Sequence, residues 1–267
     1  MNNGFALVTP ASRGLGFAFT QTLLTKTTLP VIATARKNTS ELRDRLLSSD
    51  VPNGAKERLR VLEVDVTDEN TISSMAETIR EDYPDTHLRV ALAVPGILHV
   101  EKSPSQVDAG AALDSFKVNS LGPLLLMKHL SPFLPTKAIT GFPEADDQEL
   151  KLPSHAIYAI MAARVGSISD NSSGGWYSYR ASKAAVYQLT KTFDLYLRGR
   201  CAERALAVAL HPGTVRTDFT KEFWKGRDML EPNDSAERLL QFLVNMKPGL
   251  GDGRGRCWDW KGEEVLP

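Results

Sequence analysis

Cysteine is nearly absent from this chain: 267 residues hold only Cys201 and Cys257, without metal-like spacing. That argues against a disulfide framework and a cysteine-based zinc site; no metal is expected, and a reducing compartment fits best. An excess of either charge is missing as well, since 32 Lys and Arg balance 32 Asp and Glu. Net charge gives no argument for nucleic acid, an acidic membrane surface or a strongly charged ligand, which leaves a small molecule as the expected partner. No window approaches the roughly eighteen consecutive apolar residues of a membrane span, and no basic leader separates Met1 from the first apolar run. A soluble, cytoplasmic protein is expected. Internal repeats and low-complexity tracts are also lacking.

The chain does hold 42% hydrophobic residues, enough for a sizeable core, and a single domain over residues 1–267 is expected. Short apolar runs alternate with helical patterns: Phe5–Val8 then a helix from Gly14, Val31–Ala33 then Ser40–Leu47, Arg60–Val64 then Glu69–Tyr83. Val90–Val94, a helix through Phe116–Leu130, Ala156–Ala162, a helix carrying Tyr179 and the run Ala205–Leu210 continue the series. Strands joined by helical crossovers pair in parallel, so the expected fold is α/β, a doubly wound parallel sheet of Rossmann type. Residues 135–154 break the rhythm with Pro135, Pro143 and Pro153 among Glu144, Asp146, Asp147 and Glu149. Such a composition buries little and reads as a surface insertion, either a solvated loop or a lid.

Two short patterns carry chemistry. In Trp176-Tyr177-Ser178-Tyr179-Arg180-Ala181-Ser182-Lys183, a tyrosine and a lysine stand four apart at a helix start, hence on one face. An ammonium beside a phenol lowers its pKa from about 10, letting Tyr179 trade protons near neutrality. The first strand runs into Thr9-Pro10-Ala11-Ser12-Arg13-Gly14-Leu15-Gly16. A G-x-G at a helix entrance either lets backbone amides approach a phosphate or simply makes a tight turn.

Together with Val118-Asn119-Ser120-Leu121-Gly122-Pro123 and His211-Pro212-Gly213-Thr214-Val215-Arg216-Thr217, these segments resemble the short-chain dehydrogenase/reductase family along nearly the whole chain. Thr9, Gly14 and Gly16 match its T-G-x-x-x-G-x-G pattern, Asn119 its active-site asparagine, and Tyr179 with Lys183 its Y-x-x-x-K pair. The stretch from Gly166 to Lys183 is most similar to the branch of bacterial C-factor proteins and sniffer-like carbonyl reductases. The resemblance implies a carbonyl reductase or alcohol dehydrogenase acting on a small to medium, largely apolar ketone, aldehyde or alcohol, and a homodimer or homotetramer as the assembly. Tyr179 would give its proton to the carbonyl oxygen, Lys183 would hold the nicotinamide ribose and lower the phenol pKa, and Asn119 would position a water.

Further cofactor contacts are implied for Ser12, Arg13, Leu15, Gly96, Pro212, Gly213, Val215 and Thr217. Asp65 and Val66 either read the adenine, or the run Asp65-Val66-Thr67-Asp68 simply caps the next helix. The second strand ends in Thr34-Ala35-Arg36-Lys37, without the carboxylate that would accept ribose hydroxyls. Arg36, with Arg13 opposite, can instead pair with a 2′-phosphate, so NADP(H) is favoured over NAD(H). Phe219, Phe223, Trp224 and Met229 form either an apolar substrate wall or packing against the domain, and Cys257–Trp260 a last strand, at a subunit contact or at an edge.

The chain departs from the family pattern at three places. Pro10 replaces a glycine and removes an amide, and Ala93-Val94-Pro95-Gly96 keeps only the final glycine of N-N-A-G. A serine that orients substrate is replaced by Ala162-Ala163 in a strand alignment; counting back from Tyr179 favours Ser167 in that role, with Ser169 the other choice. These departures keep a rival open, an NADP(H)-binding regulatory protein on the same fold with little or no turnover.

Overall fold

A computed structural model describes residues 3–48, 51–143, 149–223, 228–249 and 251–267. Its strands are β1 (Phe5–Thr9), β2 (Val31–Ala35), β3 (Leu59–Glu63), β4 (Leu88–Ala93), β5 (Ala156–Met161), β6 (Ala205–His211), β7 (Cys257–Asp259) and β8 (Glu264–Val265). They form one sheet in the order β3-β2-β1-β4-β5-β6-β7-β8, parallel except for the β7–β8 pair. β1, β2, β4 and β5 are buried along their whole length, as near-continuous apolar strands must be when helices cover both faces.

The helices are α1 (Gly14–Lys26), α2 (Thr39–Leu47), α3 (Ala55–Arg58), α4 (Glu69–Asp82), α5 (Ala109–Phe116), α6 (Gly122–Leu130), α7 (Tyr177–Cys201) and α8 (Pro232–Val244). Phe19, Leu23, Leu42, Leu239 and Leu243 of α1, α2 and α8 fill one core with one face of the sheet. Ile72, Ile79, Leu126, Leu130, Val186 and Leu197 of α4, α6 and α7 fill the other. The single helix expected over Phe116–Leu130 is instead α5 and α6 joined by a π turn at Lys117–Leu121. Pro123 survives there because it sits in the first turn of α6, where its missing N–H and its ring cost least. Cys257–Asp259 is not the edge of the sheet either, because β8 pairs beyond it.

Residues 135–154 include exposed positions at 137–140, 149, 151 and 154 but are also tied into the fold. Their described part has neither helix nor strand, yet Phe142, Leu150 and Leu152 are buried in the two cores. The anchor is Arg89, an arginine within the otherwise apolar β4 and 1% exposed. Its guanidinium donates to the carbonyls of Asn3, Pro143, Leu152 and Pro153 and lies 5.0 Å from the Phe142 ring centroid. Burial lowers its pKa only to about 10, so it stays charged at neutral pH. Nε and Nη2 of this buried guanidinium hold the loop to the sheet, while Nη1 binds Asn3.

Candidate active site

β1 and β4 are neighbours, but the chain leaves β1 toward β2 through α1 and leaves β4 in the opposite direction, toward β5, through α5 and α6; a crevice opens where the winding reverses, at the strands' carboxyl ends. The Gly14 turn follows β1, and the loop carrying Gly96 follows β4. Gly14 has φ of 55°, and a Cβ there would stand 3.3 Å from the Thr217 methyl, so the chain after β6 lies over this turn. At Gly16 a Cβ would fall 1.9 Å from the Pro10 carbonyl oxygen, which brings α1 against the end of β1 as only glycine permits. Arg13 provides no side-chain cap for α1, and the first turn holds no acid, so the positive end of the helix is free for an anion.

The same crevice receives the start of α7. Tyr179 and Lys183 are 6% and 2% exposed. Lys183 Nζ donates to the carbonyls of Met161 at 2.8 Å and Pro95 at 3.4 Å, one at the end of β5 and one after β4. A Cβ on Gly96 would lie 3.7 Å from Lys183 Nζ, 3.7 Å from the Phe219 ring and 3.9 Å from Asn119 Oδ1. Four residues separated widely in sequence therefore converge. The Tyr179 ring stands 6.1 Å from Trp176 and 6.0 Å from Phe219, centroid to centroid, and Tyr179 Oη has no hydrogen-bond partner among the described residues.

The electrostatics differ from the sequence expectation. Burial raises the pKa of Tyr179 from its ordinary 10 and lowers that of Lys183 from 10.5 to about 7. Desolvation outweighs the effect expected of a charged neighbour, so the phenol stays protonated at neutral pH. A titration prediction follows for the free protein. Folded Lys183 loses its proton at about pH 7 and the unfolded lysine near 10.5, so stability should rise with pH across that window, with the full burial penalty present below it. Lys183→Met should flatten that rise, as measured by urea unfolding at several pH values; an unchanged slope would show that Lys183 is not the buried base.

Asn119, fully buried within the π turn, is committed to the loop after β4. Oδ1 accepts from Ile97 N at 2.8 Å, and Nδ2 donates to Ile97 O at 2.9 Å and to Ser182 Oγ at 3.0 Å. Both amide N–H groups are thereby used, while Oδ1 keeps a second lone pair. Asp65 binds Thr67 through its N–H and hydroxyl; burial raises its pKa, but those bonds and the Arg36 charge outweigh it and lower the value overall. Asp68, not Asp65, caps α4, and Val66 packs against Gly122.

Ser167 is buried and accepts from Asp170 N at 3.0 Å, with no hydrogen bond to Tyr179. Ser169 is exposed, and its hydroxyl donates to the Pro267 carbonyl at 2.6 Å. Arg36 is exposed after β2, and Arg13 makes a long, solvated 3.8 Å contact with Asp218. Pro212 accepts from Ser235, Gly213 has φ of 79° and approaches Trp260, and Val215 is buried and bridged to Leu230. Met229 is half-buried, while Trp224 and the Phe223 side chain fall outside the described residues. Sequence reasoning missed Glu101, whose buried carboxylate meets the first turn of α7, and Arg45, which donates to Ser12 O at 3.2 Å.

Comparison with known proteins agrees with this fold. The pattern of the family described as short chain dehydrogenase matches residues 4–141. The 1-hydroxy-2-glutathionyl-2-methyl-3-butene dehydrogenase of Rhodococcus sp. is 30% identical over 187 residues, covering 69% of this chain and 71% of its own. The C-signal protein of Myxococcus xanthus is 31% identical over 160 residues, 60% and 80% of the two chains, in accord with the branch read from the residues. Among solved structures, the NADPH-bound carbonyl reductase from chicken fatty liver superposes with a TM-score of 0.81 at 26% identity over the whole of both chains. With the glycine turn, Tyr179 and Lys183 one turn apart on α7 and the sheet order in place, the chain belongs to the short chain dehydrogenase family.

Proposed function

We propose that this protein is an NADPH-dependent oxidoreductase that reduces a ketone or aldehyde to an alcohol, or runs the reverse, with Tyr179 as the proton donor. The observation that carries this reading is the convergence of the Lys183 amine, Asn119 and Phe219 at Gly96, with the protonated Tyr179 phenol one turn before Lys183 on α7 and its ring 6.0 Å from that of Phe219. When bound, the nicotinamide supplies the hydride. The free helix end at Gly14, the Thr217 segment above it and Lys183 fit its diphosphate and ribose. Trp176 and Phe219 flank the phenol and favour an apolar substrate. Depletion of NADPH with a panel of aldehydes and ketones tests the reading; tight binding without depletion across the panel would support the regulatory alternative.

Arg36 favours NADPH, since a guanidinium matches the 2′-phosphate and no acid follows β2. Arg36→Glu should weaken NADPH binding by about 10- to 100-fold, the worth of a charge-assisted hydrogen bond, and NADH binding much less. Fluorescence titration reads both, and equal losses would remove Arg36 from the phosphate site.

For the substrate oxygen we propose Ser167 as the second donor. Its hydroxyl accepts from Asp170 but donates to nothing among the described residues, whereas the Ser169 proton is already committed to Pro267. Ser167→Ala should cost roughly 10²–10³ in kcat with cofactor affinity unchanged, while Ser169→Ala stays near the parent. The opposite ranking would transfer the role.

A further inference from the structure

Glu101 lies in the loop after β4, between Val100 and Lys102, and is 2% exposed. A carboxylate withdrawn from water needs compensation, yet Glu101 forms no ion pair among the described residues. Its compensation is the start of α7. Oε2 accepts from Ser178 N at 2.7 Å, and Oε1 accepts from the Ser178 hydroxyl at 2.8 Å. The main-chain carbonyl of Glu101 also accepts from Trp176 N at 2.6 Å, and Trp176 is held at φ of 51°, a conformation rare for a large side chain. The side chain thus grips the residue that immediately precedes Tyr179.

The loop that carries Glu101 is fixed to the site at two other points. Pro95 O accepts from Lys183, and Ile97 is bound through both backbone groups by Asn119. Between Pro95 and Glu101 this segment therefore touches Lys183, Asn119 and the turn that presents Tyr179. We propose that Glu101 is a positioning residue: by clamping Ser178 it sets the place of the Tyr179 hydroxyl relative to Lys183 and the reacting carbonyl. The proposal rests on the reading of Tyr179 as proton donor. Proton transfer requires the donor within hydrogen-bond reach, and a displacement of about 1 Å costs on the order of 10²-fold.

The test compares Glu101→Ala, Glu101→Gln and Tyr179→Phe with NADPH and phenanthrenequinone as the probe substrate. Glutamine can keep both contacts, because its oxygen accepts from Ser178 N and its amide donates to a rotated Ser178 hydroxyl; alanine keeps neither. Glu101→Ala should lower kcat by about 10- to 100-fold with the KM for NADPH little changed, and Glu101→Gln should recover most of the loss. Hydrogen exchange at the amides of residues 176–180 should accelerate in the alanine variant and not in the glutamine variant. Unchanged exchange and kcat in Glu101→Ala, or equal losses in both variants, would overturn the clamp. Should Glu101→Ala fail to fold, Ser178→Ala, which removes the hydroxyl and spares the amide, is read the same way with a loss of about 3- to 10-fold. Retained turnover in Tyr179→Phe would refute the proton-donor reading instead, and hydrogen exchange would still decide whether Glu101 orders the turn.

Discussion

Replacing Tyr179 with phenylalanine should abolish nearly all turnover, a fall of about 10³-fold or more, while fold and cofactor affinity stay close to the parent. The substitution removes one oxygen that bonds to nothing among the described residues, and the ring keeps its contacts with Trp176 and Phe219. Little stability is therefore at stake, on the order of 1 kcal/mol or less. The chemistry is different. Burial holds the phenol protonated at neutral pH, and phenylalanine supplies no proton in its place. Steady-state kinetics and NADPH titration on the same preparation separate the two effects. Turnover within a few-fold of the parent would move proton donation to another group.

Gly16→Ala should produce the second large effect, on the fold and the cofactor site together. The new methyl would lie 1.9 Å from the Pro10 carbonyl oxygen, a backbone atom that cannot rotate aside. The helix cannot readily withdraw, because Ala18, Phe19 and Leu23 pack it against the sheet. A loss of about 3 kcal/mol is expected, at the upper end for overpacking, and hence a melting temperature lower by about 6–12 °C, with NADPH affinity falling as the turn opens. Gly199→Ala is the control. It lies in α7 with nothing within 4 Å of the new methyl, and alanine is the better helix former, so stability should hold or rise by about 0.5–1 kcal/mol. Equal melting temperatures for the parent and Gly16→Ala would show that α1 does not pack on Pro10 as described.

Much of this architecture was legible because its signals are local. The apolar runs of β1, β2, β5 and β6 and the glycines in the first turn of α1 state their roles within a few residues. The helix α8 carries a readable signal too, with Pro232 in its first turn and Ala236, Leu239, Leu240 and Leu243 along one face, but it lies beyond the last apolar run of the alternation. What the sequence did not show depends on distant partners. Glu101 reads as a surface charge until Ser178, far along the chain, folds onto it. Arg89 looks misplaced in a buried strand until the carbonyls of residues 143, 152 and 153 surround it. The direction of the Tyr179 and Lys183 shifts was equally out of reach, since the spacing of the pair shows their proximity and only the packed site shows their desolvation. The Y-x-x-x-K spacing found the two groups; the fold determines which of them carries the proton.

The central claim is that hydride passes from the cofactor to a carbonyl carbon while Tyr179 protonates the oxygen. The most direct measurement uses NADPH deuterated at the reactive carbon of its nicotinamide, incubated with the protein and a panel of apolar ketones and aldehydes, with products read by mass spectrometry. The account predicts an alcohol bearing deuterium on its carbinol carbon, formed by the parent and not by Tyr179→Phe. Intact NADPH, tightly bound yet unconsumed across the panel, would contradict it.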